Sequence, residues 1–445
     1  MSATPPPDDG CDDAVADPDA TGAGSSGSGS AGSGRAGVGA SVTEARLRIL
    51  EGLRDIAAPV WDGLANPSFV RADDGRLAPR SPDAGGDPVP YNPFLSHAFL
   101  EALEASGCVG GRSGWIPRHL VLEDGNGTAL GAVPAYLKTH SQGEYVFDHG
   151  WAEAFHRAGG SYYPKLQVSV PFTPATGRRF LTSPLQDRDS LTAALAEGLV
   201  EVCRLSGASS VHATFLTEPE WTLLGTEGYL QRTDQQFHWL NRDYASFEAF
   251  LEDLASRKRK TIRKERREAL ENGISIEWLT GSDITEAHWD AFFAFYMDTG
   301  ARKWGRPYLN RGFFSLIGER MANQILLVMA RRNGRYIAGA INFIGSDTLY
   351  GRNWGCIEHH PCLHFEVCYY QAIDFAIDRG LKVVEAGAQG EHKLARGYLP
   401  TLTRSAHWIA HPGLRQAVAD YLERERQAVA MDAEILAAHA PFKKG

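Results

Sequence analysis

Near the end of the 445-residue chain, residues 385–400 read EAGAQGEHKLARGYLP, which packs Glu391, His392, Lys393, Arg396 and Tyr398 into eight positions. Acid, imidazole, ammonium, guanidinium and phenol are the groups that acyl transfer to an amine needs. Such a reaction takes a base for the ammonium proton, donors for a tetrahedral oxyanion, an acid for the leaving group and cations for an anionic carrier. In that chemistry Glu391 or His392 is the base, Tyr398 the proton donor, and Lys393 and Arg396 the grip on a phosphate or carboxylate. A solvated loop would carry the same charges without chemistry. Tyr398 in particular has a twin at Tyr229, and a repeated tyrosine fits packing as well as catalysis.

Three further groups bear on substrate binding. LYGRNWGCIEHHPCLHFE (349–366) offers Arg352, His364 and Glu366 around a strand, a loop and a helix start, where unpaired backbone N–H groups favour anions. Its Cys and His spacing matches no structural zinc pattern, so no metal is expected. RKWGRPYLN (302–310) places Lys303, Arg306 and Tyr308 at a cleft edge. Eight basic residues between Arg257 and Arg267 form a helix on which Arg259 and Arg263 share a face; this is a local phosphate grip in a chain of net charge −9. In the first half, Lys165, Arg178 and Arg179 flank a comparable loop and are expected to bind an anion.

The elements that must position these groups occur twice. GYLQRTDQQFHWL (228–240) and GYLPTLTRSAHWI (397–409) share Gly-Tyr-Leu, seven residues, then His-Trp, and GAVPAYLKTHSQGEYVFDHGW matches GAINFIGSDTLYGRNWG in the same order. Each copy reads helix, hairpin strands turning at DGNG or RNG, a central strand, loop, helix, strand, Gly-Tyr and a last strand. The expected fold class is α/β (α+β): two tandem domains, each with its own mixed, mostly antiparallel sheet flanked by helices. Expected boundaries are a disordered low-complexity tail at 1–41, helix and linker at 42–90, a first domain at 91–241, a basic helical connector at 242–272, a second domain at 273–412 and a C-terminal helix at 413–445. SVTEARLRILEGLRDIAAPVWDGL (41–64) reads as a helix from its apolar spacing behind a Ser cap.

Bulk composition narrows the setting. Hydrophobic content of 43% and charged content of 22% describe a globular chain, and an acidic balance argues against coating nucleic acid with the whole surface. Six scattered cysteines suit a reducing cytoplasm, no apolar run reaches the length of a membrane span, and the N-terminus has no secretory signal pattern. Cytoplasmic location is therefore expected.

The element order resembles the GNAT acyltransferase superfamily, and a tandem pair with a basic connector resembles the FemAB-like group. Closer still, YLKTHSQGEYVFDHGWAEAF, YYPKLQVSVPFTPATGRR, RKWGRPYLNRGFF, LYGRNWG, LHFEVCYYQAIDFAI and EAGAQGEHKLARGYLP are similar to bacterial predicted N-acyltransferases of the peptidoglycan biosynthesis/recognition family. The resemblance implies tandem GNAT-like domains and transfer of an acyl or aminoacyl group from acyl-CoA or aminoacyl-tRNA, with tRNA as a partner in the second case. It implies an amine acceptor that is a small molecule or nucleotide-linked, of the peptidoglycan-precursor kind. Neither copy carries the R/Q-x-x-G-x-G/A pyrophosphate pattern of GNAT enzymes. Two alternatives stand beside the transferase: a non-catalytic binding module of the same fold, and an RNA- or membrane-surface adaptor using the basic helix.

Overall fold

The computed structural model of the protein describes residues 45–72, 75–80, 88–303, 307–387 and 391–443, apart from the side chains of 301–303 and 391. The expected tail at 1–41 lies outside these residues. The first half contributes β1 (Ala45–Leu50), the small pair β2 (Phe69–Arg71) and β3 (Leu77–Pro79), β4 (Trp115–Pro117), β5 (His119–Asp124), β6 (Ala129–Val133) and β7 (Ala135–Lys138). It continues with β8 (Lys165–Val168), β9 (Leu181–Thr182), β10 (Ser210–Thr214) and β11 (Leu230–Leu240). The second half contributes β12 (Ile274–Leu279), β13 (Ile325–Arg332), β14 (Arg335–Ile344), β15 (Thr348–Cys356), β16 (Val383–Glu385) and β17 (Leu399–Ile409).

Local chemistry explains the recurring pieces. The β13–β14 hairpin turns at Asn333 and Gly334 with φ of 49° and 78°, the left-handed pair that a two-residue turn matched to strand twist requires. The first-half hairpin breaks at Pro134, which has no N–H for the ladder, so its inner part (β4, β7) and outer part (β5, β6) enter different sheets. β15 and β16 run parallel, as do β8 and β10, and a helix crosses over between the members of each pair.

Two expectations need correction. The stretch 41–64 is not one helix: among its described residues, Ala45–Leu50 is a strand, Leu53–Asp55 a single 3-10 turn, and an α-helix starts only at Ala58. β1 lies antiparallel to β5, with Arg48 Nε 2.8 Å from Glu123 Oε1, and this pairing overrides the helical spacing of its apolar residues. β1 stands to β5 as β12 stands to β13, so the first copy begins at β1, well before residue 91.

Nor do the copies keep separate sheets. Eleven strands form one sheet in the order β12-β13-β14-β15-β16-β11-β17-β10-β8-β7-β4, while β1-β5-β6-β9 form a second, smaller one. Each half gives its last strand to the other: β11 pairs with β16, β17 pairs with β10, and β11 and β17 pair together. The register is reciprocal. Leu230 faces His407, and Leu399, the counterpart of Leu230 in the repeat, faces His238, the counterpart of His407. Burial of this shared sheet on both faces explains the near-continuous apolar strands ILLVMARR and RYIAGAINFI. One face packs on Phe94, Phe99, Trp289, Phe314 and Tyr350, the other on Trp239, Phe250, Tyr370, Phe375 and Tyr398.

Candidate functional site

Parallel strands that diverge leave a crevice at their carboxyl ends. β15 and β16 pair only from Thr348–Val383 to Tyr350–Glu385, then splay. A β-bulge falls at this point: Asn342 of β14 faces Gly351 and Ile341 faces Asn353, which leaves Arg352 without a ladder partner. A bulge re-aims the extra side chain. Here the Arg352 guanidinium crosses to the first half, where Nη2–H donates to the Phe172 carbonyl oxygen.

On the helix side of the splay lies a cavity of about 90 Å³ lined by Arg352, Trp354, His364, Cys368, Tyr369 and Ala386, among others. The crossover helix contains a π-helical turn, Glu366–Tyr370, a widening frequent at functional sites. Cys368 and Tyr369 come from that turn. Tyr369 OH sits 2.9 Å from His392 Nε2, and the His364 ring lies 5.2–6.2 Å from those of Trp354, Tyr369 and His392. Of the residues chosen from the sequence, His364 and Arg352 thus line one opening, and His392 reaches it through the Tyr369 hydroxyl.

Lys393 and Arg396 brace the segment that carries His392. Lys393 Nζ donates to Gly387 O at 3.1 Å. Arg396 Nη1 donates to His392 O at 2.8 Å, Nη2 is 2.9 Å from Glu265 Oε1, and the guanidinium lies 3.4 Å over the Phe365 ring. It also borders a pocket of about 380 Å³ with Arg257, Lys258 and Thr261 of the basic helix Ser256–Ala269. Successive contacts therefore connect the cationic pocket to the splay through Phe365, His392 and Tyr369.

Several expected site residues are placed elsewhere. Glu366 is fully buried and turned to the basic helix, accepting from Arg266 at 3.0 and 3.2 Å and from Gln371 at 2.7 Å. Burial raises its carboxyl pKa in spite of Arg266. Tyr398 is fully buried and its OH donates to Tyr369 O at 3.4 Å, just as Tyr229 OH donates to Ala196 O at 2.9 Å in the first half. Matching helix carbonyls explain why both copies carry the tyrosine. Arg263 pairs with Glu248 and Arg259 is half-buried on the same helix. Tyr308 stacks on Phe172 with centroids 4.8 Å apart, at the border of the halves. The side chains of Lys303 and Glu391, and all of Arg306, lie outside the described residues.

The first-half cations are a plain correction. Arg179 is fully buried and donates to four carbonyls, those of Ala175, Gly177, Arg178 and Thr214, at 2.8–3.2 Å. Its guanidinium ties the end of β10, at Thr214 O, to the loop that follows β8, at Ala175 O, a bridge placed where the second half has its cavity. Arg178 donates to Leu64 O, Phe180 O and Thr182 O. Lys165 donates to Ser141 at 2.8 Å, Glu144 at 2.7 Å and Asp148. Saturated donors are structural ties, not an anion site.

One residue was passed over. Glu385, the last residue of β16, is buried; it receives a backbone hydrogen bond from Thr176, and its Oε2 has no hydrogen-bond partner. Burial pushes its carboxyl up to about 8, against the pull of Arg352 and Arg179, so it is largely protonated at neutral pH. An acidic residue closing a buried strand, followed by Ala-Gly-Ala, was the available signal. Among the described residues, no group of three or more His, Cys, Asp or Glu is arranged to hold a metal ion, and no helix is long and apolar enough to cross a membrane.

The family profile described as FemAB-like, peptidoglycan biosynthesis/recognition, matches residues 53–444. No curated protein matches the sequence. Among solved structures, the chain is similar to FemX, with 11% identity, a TM-score of 0.46, and coverage of 72% of this chain and 93% of that one. It is similar to a tandem GNAT protein from the clavulanic acid biosynthesis pathway at 13% identity and TM-score 0.41, covering 82% and 98%. It is also similar to L-PGS from Bacillus licheniformis at 9% identity and TM-score 0.45, covering 76% and 98%.

Proposed function

Because this chain belongs to the FemAB-like peptidoglycan biosynthesis/recognition family, built of tandem GNAT-like α/β domains, we propose that it is a cytoplasmic N-acyltransferase. It moves an acyl or aminoacyl group from acyl-CoA or aminoacyl-tRNA to an amine, with a peptidoglycan-related precursor as the acceptor class. The observation that carries this reading is the difference between the two splays. The first is bridged by Arg179, which bonds the end of β10 and the loop after β8, whereas the second borders a cavity lined by Tyr369 and the bulged Arg352, with His392 on the Tyr369 hydroxyl and Glu385 at the end of β16.

The carrier's phosphates lie against Arg257, Lys258 and Arg396, and its acyl end reaches the splay past Phe365. The amine nitrogen attacks the acyl carbon and the bond from that carbon to the carrier's sulfur or oxygen breaks. One proton leaves the nitrogen for His392, and the departing atom takes one from the Tyr369 hydroxyl, which His392 Nε2 restores. Lys393 and Arg396 hold the segment that carries His392.

The test is single-turnover transfer by the full chain with acyl-CoA and with aminoacyl-tRNA. His392→Ala and Tyr369→Phe should each lower the transfer rate by roughly 10²-fold or more. Full rates in both variants would remove this pair from the chemistry. The absent R/Q-x-x-G-x-G/A pattern favours a second reading, a binding module of the same fold, which predicts tight ligand binding with no turnover at all.

A further inference from the structure

The splay has a second side, facing the first half, and its chemistry differs from that of the aromatic helix side. We propose that this seam binds a carboxylate carried by the acceptor amine, with Arg352 as its cation and the Tyr145 hydroxyl beside it as a second donor. This assignment rests on the transferase reading of the same splay and names the acceptor's chemical class.

The first support is an uncompensated charge. Arg352 Nη2 is bound to a neutral carbonyl, that of Phe172, and among the described residues no carboxylate lies within 4.0 Å of the guanidinium. The carboxyl in its field is Glu385, which burial pushes up to about 8 and whose Oε2 is buried with no hydrogen-bond partner. The neighbouring cation, Arg179, is saturated by carbonyls. A guanidinium in this state is completed by an anion from outside, and a protonated carboxyl can donate to that anion.

The second support is that the first half invests structure in presenting Tyr145 there. Tyr145 holds φ of 59°, in the left-handed region that an aromatic residue rarely adopts. Its hydroxyl interacts with the Arg352 guanidinium, and Tyr296 and Tyr308 share the same surroundings. Strain persists only where surroundings over-determine it. Here Lys138 and Lys165, directly opposite each other on β7 and β8 and both fully buried, capture the loop from both sides of Tyr145. Lys165 binds Ser141, Glu144 and Asp148, Lys138 binds Gln142 O at 3.0 Å, and Gly143 O accepts from Phe172 N at 3.1 Å. Phe172 itself has φ of 58°. Two strained aromatics thus meet at a guanidinium that, among the described residues, has no carboxylate within 4.0 Å.

Charge sets the ligand class. Arg352 presents a single guanidinium to the seam, since the donors of Arg179 are spent on carbonyls, and one guanidinium fork matches one carboxylate.

Titration calorimetry of the full chain at pH 7 with dialanine, dialanine C-terminal amide and inorganic phosphate tests this. Dialanine should bind at least tenfold more tightly than its amide, Arg352→Gln should abolish that preference, and Tyr145→Phe should reduce it severalfold. Tyr145→Phe removes only a hydroxyl from a partly exposed position, so it remains informative if Arg352→Gln unfolds. Equal affinity for acid and amide, no binding of either, or an unchanged preference in Tyr145→Phe would overturn the proposal; tighter binding of phosphate would overturn the monoanion assignment. Turnover is read separately, so a chain that discriminates acid from amide yet transfers nothing would refute the transferase and not the subsite.

Discussion

Glu385 and His212 occupy the same place in the two halves: Glu385 on β16 faces His238 of the exchanged strand β11, and His212 on β10 faces its counterpart, His407 of β17. In the first half the two imidazoles bond to each other, Nδ1 to Nδ1, at 2.7 Å. In the second half a carboxyl stands there, buried next to an open splay. Burial holds the carboxyl pKa near 8, so the folded state binds its proton more tightly than the unfolded chain does. The sign follows from linkage: this stabilisation is complete below the usual carboxylate range, near pH 4.5, and is lost as pH rises through 8. Glu385→Gln should therefore flatten the fall in stability with rising pH, by at most roughly 3 kcal/mol between pH 6 and pH 9 at about 1.4 kcal/mol per pKa unit. Urea denaturation of both proteins at pH 6 and pH 9 measures it; parallel losses in the two would show that Glu385 is ionised throughout.

The buried lysine pair should answer unequally to removal of charge. Lys165→Met leaves Glu144 and Asp148 buried without their closest cation and should cost about 3–5 kcal/mol. Lys138 has its ammonium 3.6 Å over the Trp115 ring, and burial lowers its pKa to about 7. Its penalty in the folded state is absent above the usual lysine range and grows as pH falls towards 7. Lys138→Met, whose thioether suits an aromatic face, should therefore cost under about 1 kcal/mol at pH 7 or stabilise the chain. Equal destabilisation by the two variants would contradict this division.

Two tyrosines a short distance apart should separate packing from chemistry. Tyr398→Phe loses one long hydrogen bond to Tyr369 O, so a cost near 1 kcal/mol and an unchanged transfer rate are expected. Tyr369→Phe loses the hydroxyl that faces His392 and should keep its thermal midpoint while the rate falls. A rate loss in Tyr398→Phe at full stability would restore it as the proton donor.

The basic helix makes a salt-dependent prediction. Lys260, Lys264 and Arg267 are exposed, while Ile262 and Ala269 face inward and Arg266 is held by Glu366 and Asp374. If aminoacyl-tRNA is the donor, replacing the three exposed cations with Gln should weaken tRNA binding and lower the slope of log K against log salt by about 2–3. Filter binding from 50 to 200 mM salt, as in ordinary phosphate-contact measurements, gives that slope. An unaltered slope would confine the phosphate contacts to Arg257, Lys258 and Arg396 and remove this exposed face from tRNA binding.

Much of this architecture could be read from the chain itself. The Gly-Tyr-Leu and His-Trp repeat announced the duplication, and in the structure it is the pair of exchanged strands whose register relates the halves. Asn333-Gly334 announced its hairpin through turn chemistry alone. β1 was missed because Leu47 and Ile49 also fit a helical stripe, and only pairing with β5 decides between the two. Arg178 and Arg179 looked like an anion grip because backbone carbonyls, their actual partners, have no sequence signature. Glu385 was passed over since a carboxyl at a strand end gains its meaning from the depth of the sheet around it, and that depth comes from the other half.

The strand exchange has one more consequence. Because β11 and β17 lie inside each other's territory, the peptide linking the halves is not what joins them, and a cleaved backbone at 242–245 would leave two fragments clasped by the same ladders. What covalent continuity contributes is inequality. Two identical chains clasped this way would have two bridged splays or two open ones, and only a fused pair guarantees one of each in every molecule.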